Sequence, residues 1–256
     1  MQVTGTLPIS YQWRSNGIAI PGANLPTLTV VGGAAATQAT YVLSAVNAIG
    51  STNTQPIVLT FANPNGAYAS AVLKDRPSSY WRLGESSGTV AVDSAGYNDA
   101  TYSGSVVYGV ASVTSADTNT AVQFIGGNAP APYSSTLNSA SAFTVECYVK
   151  PTQDGQNSRA VFGSQNRNVG RSGYVLYQGL NGNFWESHIG DGTTVRMFLQ
   201  GTTPVVAGQW YHLAVVYDPN DATANGRLYV NGVQESALSG CFPSSRPLKS
   251  GGFADI

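Results

Sequence analysis

From Ala142 to Lys150 apolar and polar side chains alternate, with Phe143, Val145, Cys147 and Val149 on one face and Thr144, Glu146 and Tyr148 on the other. A period of two predicts a half-buried β-strand. Trp210 to Asp218 repeats the pattern: Tyr211, Leu213, Val215 and Tyr217 share a face and His212 lies opposite. Gly226 to Val230 follows, and Asn231-Gly232 is a strong tight-turn signal. Leu213, Val215, Tyr217, Leu228 and Val230 are therefore expected in the core. Gly173 to Leu180 and Phe184 to Ile189 predict a second hairpin across Asn181-Gly182, and Ser79 to Glu85 predicts a further strand. The first sixty residues give Ile9 to Arg14, Thr27 to Val31, Thr40 to Asn47 and Pro56 to Phe61 as strands. Turns are expected at Ser15-Asn16-Gly17 and Asn47-Ala48-Ile49-Gly50. Ala62-Asn63-Pro64-Asn65-Gly66 has the composition of a link between domains.

Composition strengthens the all-β reading. Charged residues make up 10% of the chain, against roughly 25% in an ordinary domain. Glycines number 29, as short strands joined by tight turns require. The net charge of −1 and the lack of a basic stripe exclude a nucleic-acid partner. No apolar run approaches the ~20 residues of a membrane helix, so no membrane insertion is expected. Met1 is followed by neither a charged start nor an apolar stretch, so no signal peptide is expected within this sequence. The chain is expected to begin inside a domain, with further domains covalently linked on both sides. Of the two cysteines, Cys147 falls on a strand and Cys241 in a loop. Two separate thiols and a Cys147–Cys241 bridge both remain open.

Catalytic chemistry is poorly provided for. Retaining glycosidases need two carboxylates about 5–5.5 Å apart. On one strand that means acidic residues separated by two or four positions, and the chain contains no such pair. The nearest pairs, Asp218/Asp221 and Glu186/Asp191, flank turns. His188 and His212 are the sole histidines. No nucleophile elbow, phosphate loop or dinucleotide fingerprint occurs. The chain is not expected to be an enzyme.

The stretch Y-Q-W-R-S-N-G-I-A-I-P-G-A, then L-T-V, then A-T-Y-V-L-S-A-V-N-A-I-G-S, resembles bacterial immunoglobulin-like domains of large secreted proteins. The resemblance implies that Trp13 is the buried tryptophan of such a sandwich and Tyr41 its tyrosine-corner residue. Leu43 stands where antibody domains place their second core cysteine. About 61 residues match, against ~100 in a whole domain, so one sheet is expected to be depleted and to expose apolar surface.

From Tyr68 onward, five motifs occur in order: Y-W-R-L-G-E, V-D-S-A-G, F-T-V-E-C-Y-V-K-P, G-Q-W-Y-H-L-A-V-V-Y-D and G-R-L-Y-V-N-G-V. Together they resemble the laminin-G-like, concanavalin A-like jelly-roll family. The family's last strand, which carries Asp-Glu-Val and pairs near Tyr80–Glu85, is missing, so a bare sheet edge is expected there. The resemblance implies a possible Ca²⁺ site in the loop of Asp93, Asn98 and Asp99; the other reading is an Asx turn without an ion. Relatives commonly carry Phe-Asp-Gly where Phe124-Ile125-Gly126 stands. For glycan binding, Phe184, Glu186 and His188 share one face of their strand. If Trp185 and Ile189 point into the core, that face is the concave surface, where Tyr174 is expected to join them.

The reading is an all-β chain: a partial immunoglobulin-like sandwich (1–61), a linker (62–67) and a concanavalin A-like jelly roll lacking its last strand (68–256). The expected function is extracellular or cell-surface recognition of a glycan or an extracellular protein within a multidomain protein. The alternatives are a structural spacer, or the accessory region of a carbohydrate-active enzyme.

Overall fold

The computed structural model describes residues 4–30, 37–61, 66–96, 98–113, 119–137, 139, 141–154, 159–164, 172–179, 183–190, 196–238 and 254–255. The chain divides into two compact units, Met1–Ala71 and Val72–Ile256. Strands dominate both, and one short helix, α1 (Ala67–Lys74), falls at the boundary.

The first unit is a five-stranded sheet built from β1 (Ser10–Ser15), β2 (Ile18–Ala19), β3 (Thr37–Val46), β4 (Ser51–Asn53) and β5 (Ile57–Phe61). Antiparallel pairing sets Trp13 opposite Leu43 and Tyr11 opposite Ala45. Trp13, Tyr41 and Leu43 make the core, against which Ile20, Ala23, Leu28 and Val30 pack. Thr27 to Val30, expected as a strand, is instead an irregular covering segment; Val31 lies outside the described residues. The indole N–H of Trp13 donates to the Leu25 carbonyl at 3.0 Å, which ties this cover to the sheet. Leu7, Ile18 and Ile49 remain exposed.

The second unit is not β throughout, because α1 reaches into it. Three alanines and a leucine in Ala67–Lys74 favour helix, and Lys74 in the last turn complements the helix dipole. After it come the short strands β6 (Val90–Ala91), β7 (Ala100–Thr101), β8 (Val106–Val110), β9 (Ala121–Phe124) and β10 (Pro130–Ala131). They surround a small core that includes Ala91, Ala100, Tyr102, Ala129 and Leu137.

The main body has two facing sheets. One is six-stranded, in the order β10, β19 (Ala254–Asp255), β12 (Arg159–Gly163), β13 (Gly173–Gln178), β14 (Phe184–Gly190), β15 (Arg196–Pro204). The other is four-stranded: β11 (Phe143–Val149), β16 (Tyr211–Tyr217), β17 (Gly226–Val230), β18 (Val233–Leu238). Leu213, Val215, Tyr217, Leu228 and Val230 project from the second sheet onto Leu176, Trp185, Ile189, Met197 and Leu199 of the first, all at most 1% exposed. Each such burial stabilises the fold by about 1.5–3 kcal/mol. Cys147 carries a free thiol packed against this core, whereas Cys241 lies outside the described residues.

Ser79–Glu85 departs most from the expected strand. Its ladder contact is a single bridge, Trp81 to Asp93, and Leu83 has a left-handed backbone at φ 52°, which no continuous strand accommodates. Side chains hold the segment instead. Asp93 accepts the Tyr80 N–H, Asn119 donates to the Arg82 carbonyl, and the Trp81 indole N–H donates to the Asn98 carbonyl. Among the described residues Ser79–Glu85 is thus not the ladder strand beside which a bare edge was expected.

Candidate functional site

On β14 the period of two sends Trp185, Ser187 and Ile189 inward and Phe184, Glu186 and His188 to the other face. Pairing with β13 and β15 decides the neighbours. Glu186 lies between Tyr177 and Gln200, and His188 lies between Val175 and Phe198. The Gln200 amide donates to Glu186 Oε1 at 3.1 Å. His188 Nε2 stands 3.7 Å from Glu186 Oε2. The His188 ring meets Tyr177 edge-on at 5.1 Å and Phe198 at 5.0 Å. A carboxylate, an imidazole and an amide are thus framed by two aromatic rings on three adjacent strands. Glu186 and Tyr177 are deeply recessed, at 2% and 5% exposure, while Phe184, Phe198 and Gln200 are half-buried.

Tyr174 does not join this face. It pairs with Ile189, so it points into the core, 3% exposed, stacked on Phe162 and tilted against Phe143. Its hydroxyl donates to the Leu137 carbonyl at 3.4 Å. Tyr177 takes its place. The sequence held the signal: a two-residue turn at Asn181-Gly182 sets Leu180 opposite Asn183. Counting back, Tyr177 then falls opposite Glu186 and Tyr174 opposite Ile189. The turn residues themselves lie outside the described residues. Phe198 and Gln200 were also readable, because Met197 and Leu199 alternate with them on β15.

Asp93, Asn98 and Asp99 do come together, but not as cation ligands. Asp93 is 6% exposed. Its Oδ1 accepts the N–H groups of Tyr80, Ala95 and Gly96, and its Oδ2 that of Asn98. Asp99 Oδ1 accepts the Asp93 N–H, and the Asn98 amide donates to the Ser79 hydroxyl. Donors surround the central carboxylate where a Ca²⁺ site needs converging oxygen acceptors. These residues do not fit the ion; Asp93 acts as an acceptor that organises its own loop. Among the described residues no group of three His, Cys, Asp or Glu side chains could hold a metal.

The family model for the concanavalin A-like lectin/glucanases superfamily matches residues 125–252, which include both facing sheets apart from the terminal β19. The chain belongs to this superfamily. No curated protein sequence matches it. Among solved structures, this superfamily member is similar to a heptameric SAP-like pentraxin from Limulus polyphemus: 19% identity, 44% of this chain and 50% of that one, TM-score 0.32. It is also similar to a Trypanosoma rangeli sialidase solved with 2,3-difluoro-KDN: 13% identity, 86% of this chain and 37% of that one, TM-score 0.47. The chain thus spans half or less of the length of either.

Proposed function

We propose that this superfamily member binds carbohydrate through the face shared by β13, β14 and β15, as part of an extracellular, multidomain protein. The observation that carries the reading is the Glu186–Gln200 pair, with His188 alongside, set between Tyr177 and Phe198. Sugar hydroxyls need fixed donors and acceptors, and the apolar face of a pyranose packs on aromatic rings. Half-buried Phe184, Phe198 and Gln200 are the groups a ligand meets first. Binding without catalysis is favoured because Glu186 is the single carboxylate on these three strands, and glycoside hydrolysis uses two. Laminin-G-like domains are usually extracellular, and among the described residues no helix is long and apolar enough to cross a membrane. We place the first unit with the immunoglobulin-like spacers on the strength of buried Trp13 and Tyr41.

The recessed position of Glu186 and Tyr177 favours a second reading, in which the cluster is structural and the chain is a spacer. A glycan array separates the two. The chain is expected to bind a restricted set of glycans, and Glu186→Gln and Phe198→Ala are expected to abolish that binding while the protein stays folded. Silence on the array, or variants that bind as well as the parent, would favour the spacer.

A further inference from the structure

The outward face of the four-stranded sheet, opposite the core, presents three successive cross-strand rows on β11 and β16. Lys150 lies beside Trp210, with its ammonium 6.0 Å from the ring centre. Tyr148 lies directly opposite His212, and Glu146 opposite Ala214. The Tyr148 and His212 rings sit 4.7 Å apart, and His212 Nε2 is 3.3 Å from Glu146 Oε2. All six positions face away from the core. Tyr148 is 40% exposed, and the side chains of His212 and Glu146 are 26% and 50% exposed.

We propose that this face docks a second copy of the chain in a two-fold, face-to-face dimer. The sequence register itself is self-complementary. A two-fold axis lying in the interface, perpendicular to the strands and level with the Tyr148–His212 row, lays β11 over its copy antiparallel. Tyr148 and His212 then fall over their own copies. One row away, about 6.8 Å along the strand, Glu146 falls over Lys150 of the second copy and Trp210 over Ala214. A carboxylate therefore meets an ammonium, and the largest side chain meets the smallest. Each match occurs twice, as an isologous interface requires. Long side chains fill the ~10 Å that separates packed sheets, and Tyr and Trp, here exposed Tyr148 and half-buried Trp210, are enriched at protein interfaces. One anion and one cation on β11, with Arg227 of β17 already paired to Asp221, give the face no net sign, so it offers nothing to a polyanion and matches a copy of itself. The surface lies on the opposite sheet from the proposed glycan face, so its test is independent of the array.

Sedimentation velocity of the full chain over a wide concentration range tests the proposal, with thermal melts to confirm that each variant folds. A reversible dimer is expected. Glu146→Lys and Lys150→Glu should each weaken it at least tenfold by opposing like charges. The double variant Glu146→Lys/Lys150→Glu should recover most of the loss. Ala214→Arg should block the seat of Trp210 and leave a monomer. A parent that is monomeric at every concentration overturns the proposal and leaves the face to some other partner. A dimer indifferent to both single swaps, or a double swap no better than the singles, overturns it as well.

Discussion

Gly179 leaves the space that the Glu186 carboxylate occupies. A β-carbon on Gly179 would lie 2.7 Å from Glu186 Oε1 and closer still to the Phe184 carbonyl oxygen. The carbonyl is backbone and cannot step aside, so the clash would fall on the β13–β14 connection. Gly179→Ala is expected to destabilise the fold by about 1–3 kcal/mol, read from urea unfolding. If the β14 face binds glycan, the same change should weaken binding by displacing Glu186, even below the melting temperature.

Glu235 closes one edge of the sandwich. Standing on β18 of the four-stranded sheet, it accepts the backbone N–H groups of Thr202 and Thr203 on β15 of the other sheet, at 2.7 and 3.0 Å, together with the Thr203 hydroxyl. Gly201 permits the approach, since a β-carbon there would lie 2.5 Å from Glu235 Oε2. Glu235→Ala is expected to cost about 1.5–3 kcal/mol, the range for hydrogen bonds to a charged group. Glu235→Gln should cost less, because one acceptor oxygen survives. An alanine variant with an unchanged urea midpoint would show that the two edges hold together without it.

The Asp93 loop gives a prediction about metal. Because Asp93 already accepts four backbone N–H groups, its stability contribution needs no cation. Chelator and added Ca²⁺ are expected to leave the melting midpoint unchanged. Asp93→Ala is expected to lower stability by about 3 kcal/mol, because several buried N–H groups lose their acceptor together. A midpoint that rises with Ca²⁺ would count against this account.

Alkaline pH should destabilise the second unit. Burial first, and the neighbouring Glu146 carboxylate second, push the Cys147 thiol from 9.0 up to about 12. Burial likewise raises the Tyr174 hydroxyl above its ordinary value. Both groups hold their protons more tightly when folded than when unfolded. Their contribution is therefore complete below about pH 9 and is lost as pH climbs from there through the raised folded values. Thermal melts should show a falling midpoint across that window. Cys147→Ala should flatten part of the slope, and native Cys147 should resist alkylation near neutral pH.

At acid pH the effect reverses in sign for Asp221. Its carboxylate accepts the Thr223 hydroxyl and the N–H groups of Thr223 and Ala224, and pairs with Arg227. The Thr223 side chain is the first cause that holds it well below the usual carboxylate range. Its contribution is present above the ordinary carboxylate value and is lost as pH falls through the lowered one. Asp221→Asn is expected to remove that part of the acid dependence of the β16–β17 hairpin, followed by hydrogen exchange at Arg227.

The sequence by itself determined which residues of β11, β16 and β17 are core. On a strand with one buried face the period of two leaves no freedom, and Leu213, Val215, Tyr217, Leu228 and Val230 lie where alternation puts them. It also determined the all-β class, through glycine, β-branched residues and scarce charge. Tertiary structure decided what alternation within a strand cannot carry: which face each strand shares with its neighbours, and what covers that face. Tyr174 marks the boundary: alternation on its own strand leaves its side open, and the register counted from the Asn181-Gly182 turn sets it opposite the buried Ile189. Glu186 shows it too: strand periodicity placed it outward, and only the packed sheets made it a recessed carboxylate with an amide partner. Ser79–Glu85 reads as a strand on local grounds, yet Asp93 and Asn119, distant in sequence, bind its backbone and free it from the ladder. Local pattern fixes the faces of a strand and a tight turn fixes the register of its hairpin; depth of burial and side-chain capture of backbone groups arise from residues that only the folded chain brings together.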